Sequence, residues 1–238
     1  MHNPKNPVIV ALDVPDVDRA LSLAEQLAAI VGTFKIGSEL FTTAGPEIVR
    51  RIRGTGASVF LDLKFHDIPH TVARSVAAAT RLDVQMLTVH ASGGPEMLKA
   101  AENAAQEAAR QLGRPAPLVL GVTVLTSMDA QELASVGQTA DPSVQAERLA
   151  MVAAQAGLRG LVCSPLEVAT LRRKLPAPMH LVTPGIRGPD DTAGDQKRTM
   201  NAREAIAAGA TWLVVGRPIC TAANPKVAAE RILASLSP

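Results

Sequence analysis

FLDLKFHDIPHT, residues 60–71, sets Asp62, Lys64 and Asp67 among Phe60, Leu61, Leu63 and Phe65. The apolar residues are core residues by type, and charged groups are almost never fully buried unless paired. Side chains alternate along a strand, so Phe60, Asp62 and Lys64 share one face while Leu61, Leu63 and Phe65 share the other. An outer face packed on helices takes the leucines and Phe65. The face bearing Asp62 and Lys64 must then be the interior of a closed sheet, with both charged groups pointing into its mouth.

Working outward, short β-branched runs recur: VIVALDV (8–14), FKIG (34–37), MLTVHAS (86–92), LVLGVTVLT (118–126), LVCS (161–164), HLVTPG (180–185) and WLVVGR (212–217). Ala-rich stretches with helical periodicity separate them, among them RALSLAEQLAAI and SVQAERLAMVAAQAG. Helix starts are marked by Pro after a capping residue in Gly45-Pro46, Gly94-Pro95, Asp141-Pro142, Ser164-Pro165 and Asn224-Pro225. Ser164 with Glu167, and Asn201 with Glu204, have the spacing of capping boxes, and Gly157 and Gly209 that of helix stops. Eight strands alternating with helices, without a break in composition, predict an α/β fold: one (β/α)8 TIM barrel over residues 1–238. An open doubly wound sheet would carry a Gly-rich turn after the first strand, where this chain has PDVDRA.

Composition narrows the partners. Aromatic residues are only 2% of the chain, which counts against a base-stacking platform for single-stranded nucleic acid. A net charge of +2 with scattered basic residues leaves no footprint for a polyanion, although small anions fit. The two cysteines, Cys163 and Cys220, have no metal or redox spacing. The N-terminus lacks an apolar signal core and no long apolar run occurs, so a cytoplasmic protein without a membrane segment is expected.

Polar residues gather at the strand ends: Asp13 near the end of strand 1, Lys35 on strand 2, Asp62 and Lys64 closing strand 3, His90 strand 4, Thr126 strand 5 and Arg217 strand 8. In this fold the C-terminal rim builds the active site. Opposite charges about 4 Å apart attract by roughly 4 kcal/mol at an effective dielectric near 20, and desolvation offsets a comparable amount. Such a pair is poor evidence for stability and better evidence for a site. A lysine flanked by carboxylates offers a fixed ammonium to developing negative charge, and then a proton. The Gly/Pro/Asp-rich stretch 181–200 has the composition of a lid with Gly185, Gly188 and Gly194 as hinges. Gly216 would let backbone amides approach an anion that Arg217 pairs with. His66 and His70 have metal-ligand spacing, but Pro69 between them argues against a metal site.

These motifs carry a resemblance. ALD (11–13), FKIG (34–37), FLDLKFHDIPHT (60–71), VHASGG (89–94), VTVLTSM (122–128), LVTPGIR (181–187), AGDQKR (193–198) and VVGRPI (214–219), in this order, resemble the orotidine 5'-phosphate decarboxylase family. The resemblance implies decarboxylation of orotidine 5'-phosphate to UMP, in pyrimidine biosynthesis, without cofactor or metal. It implies Lys64 as proton donor to C6 within a charged network of Lys35, Asp62, Lys64 and Asp67. It places Asp13 and Lys35 on the ribose and Thr126 on the pyrimidine, with Thr71 also among the substrate-binding residues. Arg187, Gln196, Gly216 and Arg217 fall at the phosphate. It further implies a homodimer in which Asp67 and Ile68 reach the partner's site. Two alternatives compete: a Mg-dependent sugar-phosphate decarboxylase or aldolase sharing D-x-K-x-x-D, for which Glu39 is a conceivable ligand, and a non-catalytic phosphate-binding barrel that would have no need of Lys64.

Overall fold

The structure, a computed structural model, describes residues 6–175, 178–188 and 198–236. Eight parallel strands close into a barrel in sequence order: β1 (Val8–Ala11), β2 (Thr33–Gly37), β3 (Ser58–Phe65), β4 (Met86–His90), β5 (Leu118–Val122), β6 (Gly160–Val162), β7 (His180–Thr183) and β8 (Trp212–Val215). β1 pairs with both β2 and β8, which completes the ring. The outer helices include α1 (Val17–Val31), α2 (Ser38–Ala44), α3 (Glu47–Gly54), α4 (Pro69–Arg81), α5 (Gly94–Gln111), α6 (Ala130–Ser135), α7 (Pro142–Gln155), α8 (Val168–Lys174), α9 (Ala202–Ala207), α10 (Arg217–Cys220) and α11 (Pro225–Ser235). Among the described residues no helix is long and apolar enough to cross a membrane.

Local chemistry sets the helix boundaries. Asp16 caps α1 by accepting from the Arg19 N–H, and Gly32 ends it at φ +70°, where a left-handed turn suits glycine. Asp141 and Asn224 cap α7 and α11 ahead of prolines. Ser164 and Glu167 form a reciprocal capping box, and Asn201 accepts from the Glu204 N–H. Gly157 and Gly209, both at positive φ, follow α7 and α9 as stops. Asp129 and Glu132 form a second capping box, on α6, that the sequence reading did not single out.

The core has two parts. Ile9, Ala11, Phe60, Met86, Leu118, Leu120, Val182 and Val214 fill the barrel interior. Val8, Val10, Phe34, Leu61, Leu87 and Val119 face outward to the helices, with Leu63 and Phe65 partly buried against the same layer. The two faces of β3 are therefore those that alternation predicts. The strands end sooner than the apolar runs suggest. β6 has three residues before Ser164 caps a 3-10 turn at Pro165–Glu167, so β5 has little to pair with beyond Val122. Thr126 thus sits in a loop past β5. Gly216, at φ −107° and ψ −99°, turns the chain out of β8, and Arg217 opens α10 instead of closing a strand.

Candidate active site

Above the apolar interior the barrel mouth holds an alternating row of charge. Lys35 Nζ, on β2, donates to Asp13 Oδ1 at 2.8 Å and lies 3.6 Å from Asp62 Oδ2. Lys64 Nζ donates to the same Asp62 oxygen at 2.9 Å. The side chains of the middle pair are nearly sealed, Lys35 at 10% and Asp62 at 12% exposure, while Lys64 is 36% and Asp13 56% exposed. The row is neutral in sum and open at both ends, so Lys64 and Asp13 are the members a ligand can meet first.

Burial alone would push the Asp62 carboxyl up. The Lys35 and Lys64 ammoniums, with hydrogen bonds from Lys64 and Thr88, outweigh it and hold the group below its usual value. Asp62 is therefore a stable anion between two cations. His90 is held below the ordinary imidazole value by burial, then by His66 and Lys64. Its ring lies tilted at 5.4 Å from that of His66.

β3 reaches the site through a bulge. Leu61 pairs with Leu87 and Phe65 with Val89, so Asp62, Leu63 and Lys64 stand opposite Thr88 alone. Lys64 takes φ +51°, a left-handed conformation uncommon for a lysine. Its N–H donates to Thr88 Oγ1 at 2.9 Å, and that hydroxyl donates to Asp62 Oδ1 at 3.0 Å. Gly37, at the end of β2, has a different necessity. A Cβ there would stand 2.9 Å from Asp13 Oδ1 and 3.2 Å from Lys35 Nζ, so only glycine leaves the pair its room.

Other expected site residues surround this row less closely. Asp67 is exposed and turns back to accept from the Ile68 N–H at 2.6 Å; among the described residues it makes no ion pair with Lys35 or Lys64. Within this chain the row is thus Asp13, Lys35, Asp62 and Lys64, and Asp67 stands outside it, the resemblance assigning it to the partner's site. Ile68 is 66% exposed, and Thr71 is exposed on the first turn of that helix. Gly216 adjoins Asp13, since a Cβ there would lie 3.9 Å from Asp13 Oδ2. Arg217 is exposed at the same rim.

The segment after β7 is closed at its base. Ile186 bridges Met200, and the Arg187 N–H donates to the Met200 carbonyl at 3.0 Å, while Arg187 Nη1 donates to the Ile186 carbonyl. Gln196 and Gly194, and with them the lid expectation, lie outside the described residues. Arg198 ties this segment to its neighbours: it pairs with buried Glu167 and donates to the carbonyls of Val124 and Leu125, next to Thr126. Burial pushes the Glu167 carboxyl up, with Arg198 pulling against it.

Thr88, Gly37 and Arg198 were not picked out as functional from the sequence. A signal existed for Gly37, which closes FKIG, and for Arg198, which closes AGDQKR, but none for Thr88. Both cysteines are buried free thiols, and burial pushes Cys220 up to about 12. Among the described residues no three His, Cys, Asp or Glu side chains cluster as metal ligands.

Known proteins share this architecture and sequence. The model of the orotidine 5'-phosphate decarboxylase / HUMPS family matches residues 6–232. The chain belongs to this family. An orotidine 5'-phosphate decarboxylase of Moorella thermoacetica is 47% identical over 233 residues, 98% of this chain and 92% of that protein. Its counterpart in Opitutus terrae is 49% identical over 96% of this chain and 97% of its own. The crystal structure of orotidine 5'-phosphate decarboxylase from Lactobacillus acidophilus superposes with a TM-score of 0.85 at 34% identity, covering 98% of this chain and 100% of that one. The charged row of this chain lies at the mouth of a barrel that these relatives share.

Proposed function

We propose that this chain decarboxylates orotidine 5'-phosphate to UMP, with Lys64 as the group that meets and protonates the reacting carbon. The observation that carries the reading is the Asp13–Lys35–Asp62–Lys64 row, whose ammonium at residue 64 faces the open mouth while Asp62 fixes it from behind. The C6–carboxylate bond breaks heterolytically, CO2 departs, and the electron pair stays on C6 in the plane of the ring, where the π-system does not delocalise it. An ammonium held close by stabilises that pair and then delivers a proton to it. Asp62, anionic beside the departing carboxylate, disfavours the bound substrate relative to the transition state.

Asp13 and Lys35 take the ribose hydroxyls and Thr126 the pyrimidine. Arg187, Gln196, Gly216 and Arg217 take the phosphate, and Thr71 joins the substrate contacts. Phosphate binding, remote from C6, supplies energy to orient the base. The exposure of Ile68 and of Asp67 on one rim supports a homodimer in which these residues complete the partner's site. Sedimentation of the wild-type chain as a monomer at assay concentration would remove that part of the reading.

The deciding experiment follows the loss of orotidine 5'-phosphate absorbance with metal-stripped protein in excess chelator. Full turnover to UMP is the expected result. Turnover that appears only on adding Mg would overturn the metal-free mechanism, and no turnover in either condition would overturn the reading and leave the Mg-dependent sugar-phosphate alternative.

A further inference from the structure

We propose that Thr88 is a positioning residue of this decarboxylation: one hydroxyl, seated in the bulge of β3, fixes the Lys64 backbone and the Asp62 carboxylate relative to each other and so aims the ammonium. The inference rests on Lys64 being the proton donor. Three residues of β3 stand opposite Thr88 alone, and two of them, Asp62 and Lys64, form an ion pair of the row. A hydroxyl has one proton and two lone pairs. The Lys64 N–H occupies a lone pair, at 2.9 Å, and an ionised carboxylate can only accept, so the hydroxyl proton is committed to Asp62 Oδ1 at 3.0 Å. With Oδ1 held, Oδ2 is left to both ammoniums.

Two features make this arrangement more than satisfied polarity. Thr88 is fully buried, so water does not compete for either bond. Lys64 also sits at φ +51°, a conformation that persists only where its surroundings hold it. Without the hydroxyl the bulge would relax, and the ammonium would sample positions away from the reacting carbon. Misplacement of that kind costs rate and leaves distant binding intact.

The test compares wild type with Thr88→Val, which keeps shape and removes both bonds, and Thr88→Ser, which keeps the hydroxyl. Measured quantities are kcat, KM, UMP affinity and the pH dependence of kcat. Thr88→Val should lower kcat by about 10- to 100-fold, with KM and UMP affinity near wild type; Thr88→Ser should restore most of the loss. The acid limb in Thr88→Val should also move to higher pH. Asp62 is faced by Lys35 from β2, Lys64 from its own strand and His90 from β4, and it loses one of the bonds that keep it ionised. A kcat near wild type in Thr88→Val, or a parallel loss of kcat and UMP affinity with an unmoved acid limb, overturns the inference. If Thr88→Val does not fold, Thr88→Ala against Thr88→Ser decides, and equal kcat in the two overturns it. Wild-type protein inactive on orotidine 5'-phosphate would instead sink the functional reading itself.

Discussion

Replacing Lys64 by alanine separates chemistry from binding. The side chain is 36% exposed and touches Asp62, which keeps Lys35 at 3.6 Å and the Thr88 hydroxyl when Lys64 is gone. Asp62 therefore remains a partnered anion. A pair with one member this open contributes at most about 1 kcal/mol to stability, so the variant folds. Alanine also leaves the left-handed backbone at residue 64 as strained as before, which keeps the comparison fair. The catalytic loss is of another order. An ammonium about 3 Å from a unit negative charge is worth roughly 5 kcal/mol at an effective dielectric near 20. At 1.36 kcal/mol per factor of ten that is about 10⁴-fold in rate, before the missing proton donor is counted. The assay is kcat from the decay of substrate absorbance, with UMP affinity by calorimetry and circular dichroism as controls. UMP binding should survive, because the residues proposed for the phosphate and ribose are others. A folded Lys64→Ala protein that turns over within about tenfold of wild type would refute the placement of the ammonium at the reacting carbon.

Four further outcomes follow from the geometry. Gly37→Ala should raise KM by about tenfold with little change in melting temperature, because the new methyl displaces the Asp13–Lys35 pair, which the proposal places on the ribose; an unchanged KM speaks against that pair as a substrate contact. Lys35→Met leaves Asp62 with one cation fewer and should cost about 3 kcal/mol near neutral pH, read from urea unfolding. Asp62 is depressed in the folded state, so its stabilisation is present above the ordinary value of 3.8 and is lost as pH falls through the folded value. In Lys35→Met that loss should begin at higher pH, and an unmoved acid-unfolding midpoint would contradict it. Arg198→Ala strands buried Glu167 and should cost about 3 kcal/mol, seen by calorimetry as a fall in melting temperature of about 6–12 °C. Arg217→Ala should raise KM strongly with the fold intact, and unaltered kinetics would remove it from the phosphate end.

Much of this was legible in the residues because it depends on short-range rules. β-branched runs, proline starts and capping residues set the order of the eight strands, and alternation along 60–65 assigned the two faces of β3. Strand lengths were not legible. A parallel strand ends where its neighbour stops pairing, and β6 is cut short by the capping box at Ser164, far in sequence from the Thr126 it strands in a loop. Nor does sequence distance show that the row within this chain is completed by Asp13, from the loop after β1 and far in sequence from Lys64.

The bulge shows why the face assignment nevertheless succeeded. From Leu61 to Phe65 the chain advances four residues while β4 advances two, from Leu87 to Val89. The excess is therefore even. An odd excess would have turned every later side chain to the opposite face, putting Phe65 inward and leaving the outer layer unfilled. An even one preserves parity, so the period-two pattern survives the irregularity and conceals it. What parity cannot report is that Asp62 and Lys64 share a single opposing residue. That sharing gives Thr88 a hold on both members of the Asp62–Lys64 pair, and a reading confined to one strand has no means of detecting a contact that only the neighbouring strand supplies.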